Sequence, residues 1–450
     1  MISLPENVKK IIEILAGSGF DAYAVGGCIR DSIMGITPKD YDICTDAKPE
    51  ETKKCFSEFH TIDTGIKHGT VAVVINKEVY EITTFRTEDG YSDHRHPDKV
   101  SFVQSVEEDL ARRDFTVNAI AYNDRDGIID PFCGKADIEK KLIRAVGDPV
   151  KRFGEDALRI LRGLRFASVY CFDIEKGTAD AIHLLKGSLS GIAPERIKSE
   201  LDRLICGKNA VKILREYSDV IEVIIPEISV MIGYDQGTHY HAYDLWEHTL
   251  HTIDRIAPVP VMRYTMLFHD MGKPYVRTVG PEGECHYKGH AAAGVPIAHA
   301  IMERLKFDNA SRSRTEVLIG AHMDTLPADR IGMRKFINRY GIENAGFLLD
   351  IMLADNLSKG DGKFLDSERI DEIKEATGIY RLIVENGDCC FLRDLAISGN
   401  DLLSVGIGPG KEIGDILGQL LTAVMEDKVE NTPDALIKHA KTLAKRDNFQ

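Results

Sequence analysis

Lys39-Asp40-Tyr41-Asp42-Ile43 holds two carboxylates at i and i+2. On a strand both side chains point to one face. Like charges that close repel unless a cation sits between them. Oxygen ligands with few geometric demands suit Mg²⁺, which takes one or two carboxylates and completes its shell with substrate phosphates. Upstream, Gly26-Gly27-Cys28-Ile29-Arg30-Asp31 follows the apolar run Tyr23-Ala24-Val25 and opens a helix. The glycines let backbone N–H groups approach a phosphate, and a helix N-terminus favours negative charge. Arg30, in the first turn, adds a charge-assisted contact. Glu81 is a third candidate carboxylate, for a second metal or for the proton of an attacking hydroxyl; a Glu on a solvent-facing strand surface is the plain alternative.

Two arginine-rich stretches follow. In Arg112-Arg113-Asp114-Phe115-Thr116-Val117-Asn118-Ala119, paired guanidinium groups beside an Asp of helix-capping type suit a triphosphate. In Glu155-Asp156-Ala157-Leu158-Arg159-Ile160-Leu161-Arg162-Gly163-Leu164-Arg165, one helix would set Asp156 and Arg159 at i, i+3, with Arg162 and Arg165 continuing the stripe. An internal salt bridge on an exposed helix would read the same way.

A second group of chemistry-bearing residues lies further on. His248, the pair His269-Asp270, His290, His322 and Asp355 are each flanked by apolar helical runs. A single such His is usually structural. Mixed imidazole and carboxylate ligands recurring along helices suit a transition metal.

The elements that must position these groups change along the chain. Up to about residue 145 the pattern is mixed: helical spacing over Val8 to Leu15, then β-rich runs over Thr70–Ile75 and Val79–Phe85 about a turn at Asn76-Lys77-Glu78. Arg86 to Lys99 is a polar loop. From Pro149 the strand signal fades, and helical spacing appears over Asp156–Val169, Ile197–Cys206 and Ala210–Tyr217. Polar breaks fall at Tyr234–Tyr243 and Ser358–Lys363, and the tail from Phe391 joins a Gly-rich piece to helical spacing at Ile413, Ile416, Leu417 and Leu420.

Composition bounds the rest. The chain has 450 residues, 43% apolar and 28% charged, as expected of a folded soluble protein with several domains. No apolar run is long enough to cross a membrane, the N-terminus lacks the pattern of a secretion signal, and nine cysteines without CxxC spacing suit a reducing cytoplasm. The net charge of −14 argues weakly against nucleic acid, yet Lys140 to Arg215 holds sixteen Lys/Arg against nine Asp/Glu. That stretch is either a polyanion track or a solvated helical surface.

The four motifs in this order resemble the class II bacterial tRNA nucleotidyltransferases, the CCA-adding enzymes, and their relatives the bacterial poly(A) polymerases. The likeness continues through Ile192-Ala193-Pro194-Glu195-Arg196-Ile197 and Ile397-Ser398-Gly399-Asn400-Asp401-Leu402-Leu403. It implies an α+β protein: a polymerase-β-like nucleotidyltransferase head over 1–147, a helical neck and body over 148–232, and a tRNA-binding body and tail over 366–450. It implies Asp40 and Asp42 as catalytic Mg²⁺ ligands, with Gly27, Arg30, Arg113, Asp156, Arg159, Arg162 and Arg165 binding nucleotide. Substrates would be CTP, ATP and a tRNA acceptor arm, with no membrane and no stable protein partner.

The role so implied for Asp156 and Arg159 has a physical basis. Cytosine and adenine share an exocyclic N–H₂ donor beside a ring-nitrogen acceptor; uracil and guanine present the reverse. A carboxylate beside a guanidinium matches the first pair and leaves the second with buried unpaired groups, which rejects strongly.

The His/Asp set resembles the HD phosphohydrolase superfamily in its six-residue form, over 233–365. That likeness implies one metal at His248, His269, Asp270 and Asp355, and Asp270 bridging to a second at His290 and His322. Hydrolysis of cyclic phosphates or phosphomonoesters would follow, or the domain is kept for packing or RNA contact.

Four rivals remain. Poly(A) polymerases carry an arginine-rich segment where this chain reads Asp63-Thr64-Gly65-Ile66-Lys67-His68-Gly69-Thr70-Val71, which looks like CCA-adding enzymes. CC-adding members have a shortened loop after Phe85-Arg86, whereas Thr87 to Asp98, with Tyr91, Asp93, Arg95 and Pro97, is full length here. An A-adding enzyme stays open. An HD phosphohydrolase with a head that only binds RNA is the rival from another class. Arg196 and Lys198 are expected to track tRNA phosphates.

Overall fold

The computed structural model describes residues 2–66, 69–89, 99–238 and 240–447. It falls into two compact units. One comprises the chain up to Pro226, with Arg304–Lys306; the other comprises Glu227–Glu303 and the chain from Phe307.

The first unit is α+β. The helix Glu6–Gly17 buries Val8, Ile11 and Leu15, the face its spacing predicts. Strands follow in its head, among them β1 (Ala22–Val25), β2 (Asp42–Thr45), β3 (His60–Gly65), β4 (Thr70–Ile75), β5 (Glu78–Thr84), β6 (Arg86–Asp89), β7 (Lys99–Phe102), β8 (Ala121–Asn123) and β9 (Gly127–Ile129). Seven form one mixed sheet in the order β3-β4-β5-β2-β1-β8-β9, and only β2 and β5 run parallel. β6 and β7 pair separately as a hairpin. The loop between them, with Tyr91, Asp93, Arg95 and Pro97, lies outside the described residues, as do Lys67 and His68. The turn from β4 to β5 is two residues, Asn76 and Lys77, both at positive φ. That is the backbone that continues strand twist through a tight hairpin.

Helices then take over. Phe115 is fully buried and packs edge-on to Phe166, 5.9 Å between centroids, and against Phe153 at 6.4 Å. A side chain at Gly163 would sit 3.0 Å from the Phe115 ring. The helix Leu158–Tyr170 therefore lies close on the arginine motif of the head. Burial of such a ring contributes about 2 to 3 kcal/mol, and it fixes Asp114 beside that helix.

Apart from a two-residue strand pair (Thr278–Val279 with Cys285–His286), the described part of the second unit is helical. Its last helices, Lys411–Met425 and Pro433–Asp447, close over a separate core of Leu402, Ile416, Leu420 and Leu436.

Candidate functional site

The head site begins at the turn after β1. Gly26 takes φ +80°, a conformation side chains resist, and precedes the helix Gly27–Ile33. A Cβ there would lie 2.8 Å from Arg113 Nη1. The bare glycine is what lets that guanidinium lie against the turn. Arg113 Nη2 reaches Asp109 at 3.5 Å, while its Nε is buried without a partner. A buried unpaired N–H beside a phosphate-type turn suits an anion.

Asp42 opens β2, and Ile43 pairs with Ile82 of β5, which brings Glu81 alongside. Asp40 is not on the strand, contrary to expectation. β1 ends at Val25, whose ladder partner is Asp42, so the pairing with β1 stops short of Asp40. Both carboxylates nonetheless face one region. Desolvation lifts the Asp42 carboxyl above the ordinary carboxylate range; Arg113 opposes this, and Asp40 and Glu81 add repulsion. Asp42 thus carries the repulsion of two further carboxylates, a chemistry that suits a hard divalent cation, although the three do not close into a preformed ligand cluster.

Arg30 differs from its expected role. Only 5% exposed, it donates to Asp31, to the Tyr170 hydroxyl at 2.6 Å, and to the Asn118 side chain. Its guanidinium also lies 4.5 Å from the Tyr170 ring centroid. It braces the turn helix against Leu158–Tyr170. Gly27 has room for a Cβ at ordinary contact distance from Arg30, so close approach is required of Gly26 instead.

The helix expected through 155–165 is broken. One helix, Pro149–Glu155, ends at Asp156, and the next runs Leu158–Tyr170. Asp156 Oδ1 accepts from Leu158 N at 3.0 Å, so the carboxylate starts the second helix. Its Oδ2 accepts from Arg196 Nη2 at 2.8 Å. Arg159 does not pair with Asp156. It donates to Glu155 Oε2 at 2.6 Å and to the carbonyls of Arg152 and Arg112. Arg162 donates to Asp114 Oδ2 at 2.8 Å, and Arg165 pairs with Glu200.

Asp114 is not a helix cap. Its Oδ1 accepts from Phe115 N and the Asn118 amide, while Oδ2 faces Arg162. Burial opposes its ionisation, yet Arg162 and Asn118 hold its carboxyl at about 2. The expected RNA-tracking residues are also engaged: Arg196 with Asp156, and Lys198 with Asp202 at 2.6 Å. Sequence spacing missed Asp114, Arg196 and Glu200 as partners of the nucleotide stripe, because each contact joins elements far apart in the chain.

The second site lies wholly in the helical unit. His248 comes from the helix Leu245–Arg255, capped by Asp244. His269 and Asp270 follow Pro260–Phe268, His290 opens His290–Arg304, His322 ends Asn309–Ala321, and Asp355 lies in Ile342–Leu357. Gly272 permits the closeness: a Cβ there would fall 2.1 Å from the His290 carbonyl oxygen.

All four imidazoles are oriented alike. Their Nδ1 atoms sit 2.7–3.1 Å from backbone carbonyls of Ser358, Met266, Tyr287 and Ile319, and so donate to them. Each Nε2 then faces the centre. His248 Nε2 is 3.0 Å from Asp355 and 3.4 Å from Asp270 Oδ2; His269 Nε2 is 3.1 Å from that oxygen. On the other side His290 Nε2 is 3.2 Å from Asp270 Oδ1 and 3.1 Å from His322 Nε2. Potential ligand atoms thus gather into two groups, His248/His269/Asp270/Asp355 and Asp270/His290/His322, sharing Asp270. Buried His248 Nε2 and His269 Nε2 have no hydrogen-bond partner, while Asp270 Oδ2 has the Lys273 ammonium at 2.7 Å. Orphaned, carbonyl-oriented Nε2 atoms around a shared carboxylate fit two metal ions.

The electrostatics agree. Burial lowers His322 to about 4, leaving the neutral imidazole a metal needs. Burial alone would lower His269 too, but Asp270 lifts it to about 10. Burial resists ionisation of Asp270, yet His269 and Lys273 hold it well below the usual range. A cavity of about 650 Å³ opens onto Asp270, His290, His322 and Asp355, walled by Lys273, Lys288, Lys359 and His241. His241, on the polar break at 234–243, was not singled out by its spacing.

Comparison with known proteins follows this geometry. Residues 22–144 match the Poly A polymerase head domain. Residues 171–231 match the probable RNA- and SrmB-binding site of polymerase A, and 298–440 match tRNA nucleotidyltransferase domain 2. The last runs across the boundary expected at 365. The CCA-adding enzyme of Streptococcus mutans is 33% identical over 95% of this chain and 94% of its own. That of Pediococcus pentosaceus is 32% identical over 98% and 99%. The solved Bacillus stearothermophilus CCA-adding enzyme in complex with CTP superposes with TM-score 0.68 at 28% identity, covering 98% of this chain and 97% of that one. No described helix is long and apolar enough to cross a membrane. The chain belongs to the class II CCA-adding enzymes of the tRNA nucleotidyltransferase and poly(A) polymerase family.

Proposed function

We propose that this protein adds or repairs the 3′-terminal CCA of tRNA in the cytoplasm, from CTP and ATP and without a template, releasing diphosphate. The observation that carries the reading is that Arg113 lies against the Gly26 turn and that Asp42 feels Arg113, Asp40 and Glu81 together. Asp40 and Asp42 would hold Mg²⁺, which supplies a lowered-pKa nucleophile and charge neutralisation on the triphosphate. Arg113 and the Gly26–Gly27 turn hold phosphate oxygens. Asp156 and Arg159 present an acceptor and a donor to the base edge, each fixed by a separate partner. Arg162 and Arg165 stand on the same helix, facing ribose or phosphate. Glu81 would either bind a second metal or take the proton of the RNA 3′-hydroxyl. The basic stretch from Lys140 to Arg215 would bind the acceptor arm by shape rather than sequence. Replacing Asp40 and Asp42 together with Asn tests this: incorporation of labelled CTP into tRNA lacking its 3′ end stops. Incorporation that persists would refute it.

A second activity is favoured by the orphaned ligand atoms of the helical unit. We infer that His248, His269, Asp270 and Asp355 hold one divalent transition metal and Asp270, His290 and His322 another. Together they serve hydrolysis of a phosphomonoester or cyclic phosphate. Asp270→Asn should abolish p-nitrophenyl phosphate hydrolysis in Mn²⁺, Co²⁺ or Ni²⁺ while CCA addition continues. Hydrolysis by D270N equal to that of the parent would overturn it.

A further inference from the structure

The polar break at Tyr234–Tyr243 has no place in either motif set, yet it forms one wall of the metal-site cavity. It is pinned at several points. Tyr287 Oη donates to the Gln236 carbonyl at 2.6 Å, Cys285 N to the Gly237 carbonyl at 3.0 Å, and Ala242 N to the Lys359 carbonyl at 2.7 Å. Lys273 Nζ bridges Gln236 Oε1 at 2.9 Å and Asp270 Oδ2 at 2.7 Å. Gly360, in the other polar break, has φ +139°, and a Cβ there would come within 2.6 Å of Ala242 Cβ. The two breaks are thus one structure, a strap tied directly to the metal-ligand floor.

The strap carries His241 to that floor. Its ring lies edge-on to His248, 5.1 Å between centroids, and its Nδ1 is 3.1 Å from the Thr238 hydroxyl. That contact occupies Nδ1, and Nε2 is the ring nitrogen it does not use. His241 lines that cavity together with Lys273, Lys288 and Lys359. The cavity's acids, Asp270 and Asp355, are the ligand carboxylates already assigned. One side therefore offers cation-binding atoms, and the other offers N–H and ammonium donors.

We propose that His241 is a substrate-binding residue of this second site, donating from Nε2 to a phosphoryl oxygen of a phosphomonoester held between the metal ligands and Lys359. The inference rests on the metal-site reading of the helical unit. The Thr238 hydroxyl is then the donor to Nδ1, which leaves the neutral ring its N–H on Nε2. Its contribution is to seat the phosphate, not to hold metal.

The test separates the two claims. Trp246 is the chain's single tryptophan, on the same helix as His248. Quenching of its fluorescence by Mn²⁺ reports metal binding to the full-length protein. Calorimetric titration of the Mn²⁺-loaded protein with inorganic phosphate then reports the anion site. Relative to the parent, His241→Ala should leave the Mn²⁺ midpoint within about twofold and weaken phosphate at least about tenfold, the size of one lost charge-assisted hydrogen bond. His241→Asn, which keeps an N–H donor, should recover part of that loss. Equal phosphate affinity in parent and His241→Ala overturns the proposal while the metal site stands. A large shift in the Mn²⁺ midpoint overturns it differently, by making His241 a support of the ligands. No Mn²⁺ binding to the parent overturns both claims.

Discussion

Arg196 Nη2 donates to Asp156 Oδ2 at 2.8 Å, joining the helix Pro194–Ile205 to the break that precedes Leu158–Tyr170. The other Asp156 oxygen accepts from Leu158 N. The acceptor proposed to read the base edge is therefore held from two sides. One of its holders is a residue whose sequence context suggested a contact with RNA phosphate.

Arg196→Ala frees one side of Asp156. CTP and ATP should lose their advantage over UTP and GTP by about tenfold, the size of one weakened hydrogen bond in a buried reader. Arg196→Lys, lacking the planar fork, should fall between. Competition of the four nucleotides in single-turnover addition measures this. Weaker tRNA binding with unchanged nucleotide preference would return Arg196 to the RNA interface.

Asp42→Asn should lower the addition rate at least about 1,000-fold, as expected when a metal-binding carboxylate is lost. It should not destabilise the head. The folded-state pKa of Asp42 is raised, so its charged form opposes folding above that pKa. Neutralising it should leave the thermal midpoint at pH 7.5 without added metal unchanged or slightly higher. A marked fall would mean that Asp42 is held by favourable contacts.

Asp114 works in the opposite sense. Its pKa is about 2 in the fold, against about 3.9 in an unfolded chain. A depressed folded-state pKa gives stability that is present above the unfolded value and lost as pH falls through the folded one. That is worth about 2 to 3 kcal/mol at neutral pH. Urea unfolding of Asp114→Asn should show a deficit at pH 6 that shrinks by about 1 kcal/mol at pH 3. A deficit independent of pH would place the cost in packing instead.

Metal binding at the second site should depend on pH through His269, held at about 10 by Asp270. A ligand must give up its proton. Affinity for Mn²⁺ should then climb by about tenfold per pH unit between pH 6 and pH 9, one proton being released. Since His322 is already neutral near pH 7, its removal should weaken binding without changing that slope. A flat pH dependence would contradict the assignment of His269 as a ligand.

Much of this was legible in the chain. The buried face of Glu6–Gly17, the β4–β5 hairpin and the strand that carries Glu81 follow from local periodicity and turn chemistry. The gathering of the six His and Asp positions is an implication of the HD-superfamily resemblance rather than of spacing, and their ligand atoms do meet in two groups. The errors fall where tertiary partners decide. Asp156 and Arg159 share a helical spacing, but Glu155 and Arg196 claim them separately and the helix breaks between. Arg30, expected at a phosphate, shares its N–H groups among Asp31, Asn118 and Tyr170, the last 140 positions away, which no local spacing shows. His241 sat in a polar break with no periodicity to mark it.

Product length tests the central claim most directly. The purified protein is given tRNA lacking its 3′ end, with Mg²⁺ and CTP, ATP or both, and products are read at nucleotide resolution. The account predicts two C residues with CTP alone, then a single A and a stop when ATP is present. Addition of A only to tRNA already ending in CC, or long A tails, would contradict it.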